Sequence, residues 1–177
     1  LAAACAKPAP DVVTFEPAWP LWTDGASKRR WLELPKGTSI GASDPSRWEF
    51  PPGTTFYKEF SFGGRKVETR TIEKLDDGGF RFAAWRWNDA QTETQLAPEQ
   101  GVPGVVATSG GARHDIPGRE DCKACHEGRG AVVLGFSAVQ LHASLKALEA
   151  RGVLSNVPDT QPPLASAGEV ERAARGY

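Results

Sequence analysis

At 177 residues the chain has the size of one ordinary domain, and its net charge of −1 gives no reason to expect nucleic acid or an anionic membrane surface as a partner. An apolar share of 40%, with six Trp and eight Phe, is enough for a core, yet no apolar run reaches the length of a membrane span. Nineteen Gly and fourteen Pro favour turns over long helices, and the lack of any Met means that Leu1 is not an initiator, so the chain reads as processed or trimmed.

Residues 1–18, with Pro8, Pro10 and Pro17 and little periodicity, read as a tether or extended arm. Within it, Leu1-Ala2-Ala3-Ala4-Cys5, followed by a Pro-containing polar stretch, is similar to the end of a bacterial lipoprotein signal with Cys5 as the lipidated residue. The competing reading is the remnant of an ordinary secretory signal.

Trp19 to Gly25 is rich in turn formers, and Lys28 to Leu34 is a short strand candidate. Gly37, Gly41 and Pro45 break the next stretch into loops. After the turn at Pro51-Pro52-Gly53, Thr54 to Phe62 is a β-rich run. It places Phe56, Lys58, Phe60 and Phe62 on one face and Tyr57, Glu59 and Ser61 on the other. Gly63-Gly64 predicts a two-residue hairpin turn, with Arg65 to Leu75 as the returning strand. Asp76-Asp77-Gly78-Gly79 predicts a second turn. Phe80 to Asn88 comes next, apolar on both faces, with Phe80, Phe82 and Ala84 opposite Ala83, Trp85 and Trp87. Such a strand is central, or presents one face to a cofactor or partner. Gln91 to Ala97 could make a fourth strand, and residues 98–121 read as loop.

Cys122-Lys123-Ala124-Cys125-His126 is a C-x-x-C-H run, the attachment signal for a c-type haem. The thiols of Cys122 and Cys125 would add to the haem vinyl groups, and His126 would ligate the iron as its proximal axial ligand. The alternatives are a zinc half-site, a dithiol redox pair, or two plain cysteines. Zinc would want a second ligand pair at similar spacing, and no other cysteine is near. A redox pair would sit in a βαβ pattern, which the chain does not show. The motif reads as the start of a short helix ended by Gly128 and Gly130. Ser137 to Leu148 is the best helix candidate, capped by Ser137, striped by Val139, Leu141, Leu145 and Leu148, and stopped by Gly152. Residues 155–167 read as a linker, and Ala167 to Tyr177 as the opening of another helix.

The fold class expected from this pattern is α+β and β-rich: an antiparallel sheet over about residues 28–97, then a C-terminal haem-binding segment with one or two helices. The domains expected are an arm (1–18), a β-rich monohaem cytochrome c domain (19–155), and a linker with the start of a candidate following domain (156–177). Trp85, Trp87 and the Phe face are expected to bury the macrocycle.

Without Met, a His/Met axial pair cannot come from within the chain. His114 and His142 therefore compete for the distal side of the iron. His114 lies on a Gly-rich loop eight residues before Cys122, and His142 at the edge of an apolar helical stripe. Lys58 is the third candidate: on an apolar face it either snorkels to the strand edge or points at the haem.

The segment Trp48-Glu49-Phe50-Pro51-Pro52-Gly53-Thr54-Thr55-Phe56-Tyr57-Lys58 resembles a motif of β-sheet c-type cytochromes, namely the lysine-cross-linked cytochromes that oxidise hydroxylamine and the gas-binding β-sheet cytochromes c-prime. The resemblance implies that Lys58 corresponds to the lysine bonded to the porphyrin in the enzymatic members, although about fifty residues come after the motif here where those proteins have a short tail. A second resemblance covers nearly the whole chain. Pro20-Leu21-Trp22-Thr23-Asp24-Gly25-Ala26, Arg30-Trp31, Phe50-Pro51-Pro52-Gly53-Thr54, Glu68-Thr69-Arg70, Trp87-Asn88-Asp89-Ala90, Ile116-Pro117, Cys122 to His126, Leu134-Gly135 and Gln140-Leu141 are similar in order to a family of exported bacterial c-type cytochromes. In that family a second cytochrome domain often comes next, so the resemblance implies the first haem module of a dihaem protein.

Two functions are carried forward. One is periplasmic electron transfer through one covalent haem, with a redox partner protein or second cytochrome domain, and a homodimer compatible with the sequence. The other is a haem protein with an open distal site that binds NO or CO, or oxidises a small nitrogen compound such as hydroxylamine, with Lys58 or Arg86 beside the ligand.

Overall fold

The computed structural model describes residues 12–108, 110–127 and 132–160. Its centre is a six-stranded antiparallel sheet built from β1 (Val13–Thr14), β2 (Ser27–Glu33), β4 (Thr55–Phe62), β5 (Arg65–Lys74), β6 (Phe80–Trp87) and β7 (Thr94–Leu96). The strands lie side by side in the order β1-β2-β4-β5-β6-β7. β4, β5 and β6 form a meander because two tight turns join them. Gly63 and Gly64, at φ of 55° and 79°, supply the backbone that a two-residue hairpin needs. A register shift between Phe60 and Ser61 in the β4–β5 pairing bends the strands near that turn.

Pairing fixes which side chains share a face. Leu32, Phe56, Ile72 and Phe82 lie in one row across β2, β4, β5 and β6, and Arg30, Lys58, Arg70 and Ala84 form the next row on that face. This inner face is covered by the chain after the sheet. Phe136 packs on Phe56 at 5.0 Å between ring centroids, and Leu141, Leu145, Leu148, Val153 and Leu154 complete the core. The outer face carries Trp31 stacked on Tyr57 at 5.6 Å, with Trp85 and Trp87 donating their indole N–H groups to Thr71 and Thr69 at 3.1 Å each.

β3 (Ile40–Gly41) pairs in parallel with β10 (Leu154–Ser155), tying the end of the described chain to the loop after β2. β8 (Val102–Ala107) and β9 (Arg113–Ile116) form a separate antiparallel hairpin. Two helices are present among the described residues: α1 (Arg119–His126) and α2 (Leu145–Ala150).

The α+β expectation is therefore corrected. The described chain is mostly β, with strands taking 37% and helices 10%, and the two short helices after the sheet are not shown to form a haem-bearing segment. Beyond the sheet the chain forms a hairpin, one eight-residue helix and a run of turns leading into the short α2. Residues 98–121, expected as loop, contain β8, β9 and the start of α1. The helix expected from Ser137 to Leu148 contracts to α2, preceded by turns held by Leu141 N–H to Ser137 O at 2.9 Å and Ser144 N–H to Leu141 O at 2.7 Å. Six residues cannot sustain a helix by propensity, so the burial of Leu145 and Leu148 holds α2, and packing of Phe136 and Leu141 in the core overrides helix geometry before it. The expected arm also joins the fold from Val12 onward. Val13 pairs with Leu32, and Phe15 packs edge-on against Phe136 at 4.8 Å. Cys5 and the helix expected from Ala167 to Tyr177 lie outside the described residues.

Candidate functional site

The Cys122–His126 motif occupies α1, and close backbone contact fixes where that helix begins. A side chain at Gly118 would meet Glu99 O at 2.6 Å, and one at Gly101, whose φ is +80°, would meet Ile116 O at 2.4 Å. Only glycine allows the 99–101 turn to lie against the start of α1. Arg119 N–H donates to Glu99 O at 2.8 Å, and the Asp121 carboxylate accepts the Gly118 N–H at 2.9 Å, so the first turn is satisfied at both ends. Glu120 and Asp121 in that turn suit the helix dipole.

α1 packs against β6 with Cys122 buried and Cys125 exposed. Burial pushes the Cys122 thiol pKa up, opposed by the Arg70 charge and reinforced by Glu68. His126 lies over Phe82, with ring centroids 5.5 Å apart and the planes tilted by 30°. Its Nδ1–H donates to Val132 O at 2.6 Å. That bond fixes the tautomer: the proton is on Nδ1, and the Nε2 lone pair is left for another partner. Burial pushes the imidazole pKa down, the Val132 bond resists, and the Lys58 and Arg70 charges press it lower still. At neutral pH His126 is thus the neutral, metal-competent form.

Lys58 stands beside this site on the inner face. Its ammonium lies 5.0 Å from the Phe60 ring centroid. Burial lowers its pKa to about 7, assisted by the Arg30, Arg70 and Lys28 charges and opposed by Glu68. The amine therefore loses its proton far more readily than a surface lysine does.

His114 stands elsewhere in the network. It is buried on β9, with Nδ1 at 2.8 Å from Asp24 Oδ2 and Nε2 at 2.9 Å from Glu68 Oε1. Burial alone would lower its pKa, but the hydrogen bonds to Glu68 and Asp24 raise it, so both ring nitrogens donate. Burial likewise would raise Glu68, but the bonds from His114 and Arg70 hold its carboxyl below the ordinary range. Arg70 grips Glu68 with two contacts, at 3.0 and 2.5 Å. His114, the first candidate for the distal side, thus has both ring nitrogens against carboxylates in this arrangement. Asp24, at φ of 51° in the turn before Gly25, reaches His114 across ninety positions of sequence. His142 is exposed in a turn and stacks on Trp19 at 6.2 Å. Trp85 and Trp87 are also corrected: they project from the outer face, away from Phe82 and His126, and Lys66 lies over Trp87 at 3.5 Å.

Trp48, Phe50, Phe80 and Phe136 line a recess of about 450 Å³ that reaches Val132 and Val133, a few residues past the motif helix. The indole N–H of Trp48 is buried there without a partner among the described residues. Sequence reasoning named the motif and Lys58, and quoted Asp24, Arg30, Glu68 and Arg70 within the resemblance, but missed that Asp24, Glu68 and Arg70 join His114 in one network.

No family model, curated protein or solved structure matches this chain. Among the described residues no group of three or more His, Cys, Asp and Glu is arranged to hold a bare metal ion, so the C-x-x-C pair finds no second half of a zinc site.

Proposed function

We propose that this chain is a c-type cytochrome that carries one haem c through Cys122 and Cys125, with His126 as proximal iron ligand, and serves periplasmic electron transfer. The observation that carries the reading is the His126 Nδ1–H bond to Val132 O at 2.6 Å, on a helix whose two motif thiols are one turn apart. A proximal ligand needs its outer nitrogen pinned and its inner lone pair free, and that is the state of His126. The residues fit the group in three further ways. Both thiols are free, the neighbouring recess is aromatic, and a buried indole donor there lacks a partner among the described residues. When bound, the haem supplies a one-electron couple whose potential responds to axial ligation, water exclusion and nearby charge. The chain's own residues would set those conditions: His126 would hold the iron, Phe82 packs beneath the imidazole, and Lys58 and Arg70 place positive charge nearby, which would favour a reduced iron.

The second reading, an open distal site for NO, CO or a small nitrogen compound, is favoured by one specific observation. Two of the three distal candidates are committed elsewhere, His114 to carboxylates and His142 to Trp19 at the surface. Lys58 remains, and its neutral amine is competent either to ligate iron or to hydrogen-bond a bound ligand. Export, lipidation at Cys5 and a following cytochrome domain belong to this proposal as well, on the motif and the sequence resemblance.

Expression with a haem-attachment system, then denaturing electrophoresis stained for haem, tests the assignment. Covalent haem should be present in the wild type and absent from Cys122→Ala/Cys125→Ala; an unmodified chain mass would sink it. Optical spectra with carbon monoxide then separate the readings. A ferrous spectrum that changes at once selects the open site, and a low-spin spectrum indifferent to the gas selects electron transfer.

A further inference from the structure

The row Arg30–Lys58–Arg70 sets three cations side by side on adjacent strands. Like charges directly opposite one another destabilise a sheet unless something compensates them. Arg70 is compensated by Glu68. Arg30 is not: its side chain is 5% exposed, and its ion partner among the described residues is Glu16 at 3.8 Å, whose own carboxylate is 80% exposed. Lys58 has no carboxylate within ion-pair distance among the described residues. Both line a recess of about 130 Å³ whose other walls include Trp19, Leu21, Leu134 and Gly135. A guanidinium with five donors and an amine thus line one open recess whose walls include no carboxylate of the described chain.

We infer that this recess is a binding site for a carboxylate or a similarly small oxyanion, held by the Arg30 guanidinium and the Lys58 ammonium. Arg30 supplies the planar fork that matches two carboxylate oxygens, and Lys58 supplies a point charge from the neighbouring strand. Arg30 is buried and Lys58 half-buried, so each contact counts for more than on the open surface. Binding draws Lys58 towards its protonated form, so affinity falls as pH rises above 7. Two sources present this chemistry: a propionate of the haem carried by Cys122 and Cys125, or a free anion from solution. The first rests on the proposed function; the second stands without it.

The test uses the full chain prepared with and without haem, sodium acetate as the probe, and ionic strength held constant with sodium chloride. Calorimetric titration and thermal melting are the readouts. The haem-free chain should bind acetate and melt at a higher temperature in it, and Arg30→Gln should weaken that binding at least about tenfold. Lys58→Met should weaken it too and abolish its pH dependence between 7 and 9. Because it removes an uncompensated buried charge, Lys58→Met keeps the question answerable if Arg30→Gln fails to fold. Acetate binding to the haem-free chain alone identifies the propionate as occupant, and equal binding to both preparations identifies a free anion. No acetate response in the haem-free wild type, or an undiminished response in folded Arg30→Gln or Lys58→Met, overturns the site. A chain that takes no haem yet binds acetate through Arg30 overturns the haem reading and leaves this one standing.

Discussion

At one end of the inner sheet face Leu32, Phe56, Ile72 and Phe82 lie side by side; one row further along, the same strands carry Arg30, Lys58 and Arg70. The apolar end is sealed by Phe136 and the segment through Val157, and its side chains are held by burial without ion pairs among them. The charged end is held by the chain of contacts Asp24–His114–Glu68–Arg70, in which each buried ion meets another. Burial at the first end is non-directional and tolerant of detail. At the second, desolvated ions hold together only while every partner is present. The C-x-x-C-H motif lies where the two ends meet, with His126 on Phe82 and Cys122 within the influence of Arg70 and Glu68.

The contrast can be broken from the apolar end first. Phe56→Ala should destabilise the fold by about 3–5 kcal/mol, because Phe56 touches Phe15, Phe50 and Phe136 at the centre of the core. Urea unfolding measures this, and a loss below about 1 kcal/mol would show that the core closes around the gap. At the charged end, Glu68→Ala should cost roughly 3 kcal/mol by leaving His114 and Arg70 buried without their shared carboxylate. A double-mutant cycle with His114→Ala should show strong coupling; additive losses would refute the network.

The two ends should also differ in their response to pH. Glu68, held below its ordinary 4.5, contributes stability above that pH and loses it as pH falls through the depressed value. His114, held above its ordinary 6.5, contributes fully below 6.5 and loses it as pH rises through the raised value. The stability difference between wild type and His114→Ala/Glu68→Ala should therefore be largest between about pH 4.5 and 6.5, whereas the cost of Phe56→Ala should not vary across that window. Unfolding curves at three pH values would decide it.

The smallest effect concerns Lys58. In the haem-free chain its folded pKa of about 7 lies below the ordinary 10.5, so between those values the unfolded state binds more protons and stability rises with pH. Lys58→Met should remove that rise and leave stability at neutral pH unchanged or increased by up to about 1 kcal/mol. A clear loss of stability would mean that Lys58 has an anionic partner in the unliganded chain.

Much of the sheet was legible because its signals are local. The β-rich run over Thr55–Phe62, the strand Phe80–Trp87 apolar on both faces, and glycines where tight turns require them need no knowledge of distant residues. The β8–β9 hairpin was not, since Pro103 and Gly104 mask an irregular pairing that Asp115 completes through its bond to the Gly104 N–H at 2.6 Å. The helix expected over Ser137–Leu148 was misread for the opposite reason: its apolar spacing suits a helix, but the chain there tracks the surface that Phe56 and Phe15 present.

The candidate site divides in the same way. Sequence alone determined the Cys122–His126 motif, because its residues are adjacent in the chain, and the lack of any Met. Only the tertiary structure decided what each histidine is for. His126 and His114 are alike as residues, yet one has a carbonyl on Nδ1 and an open Nε2, while the other is closed by carboxylates drawn from positions 24 and 68. A side chain's protonation depends on its partners, and those partners are brought together by strand register, which operates over distances in sequence that no local pattern reports.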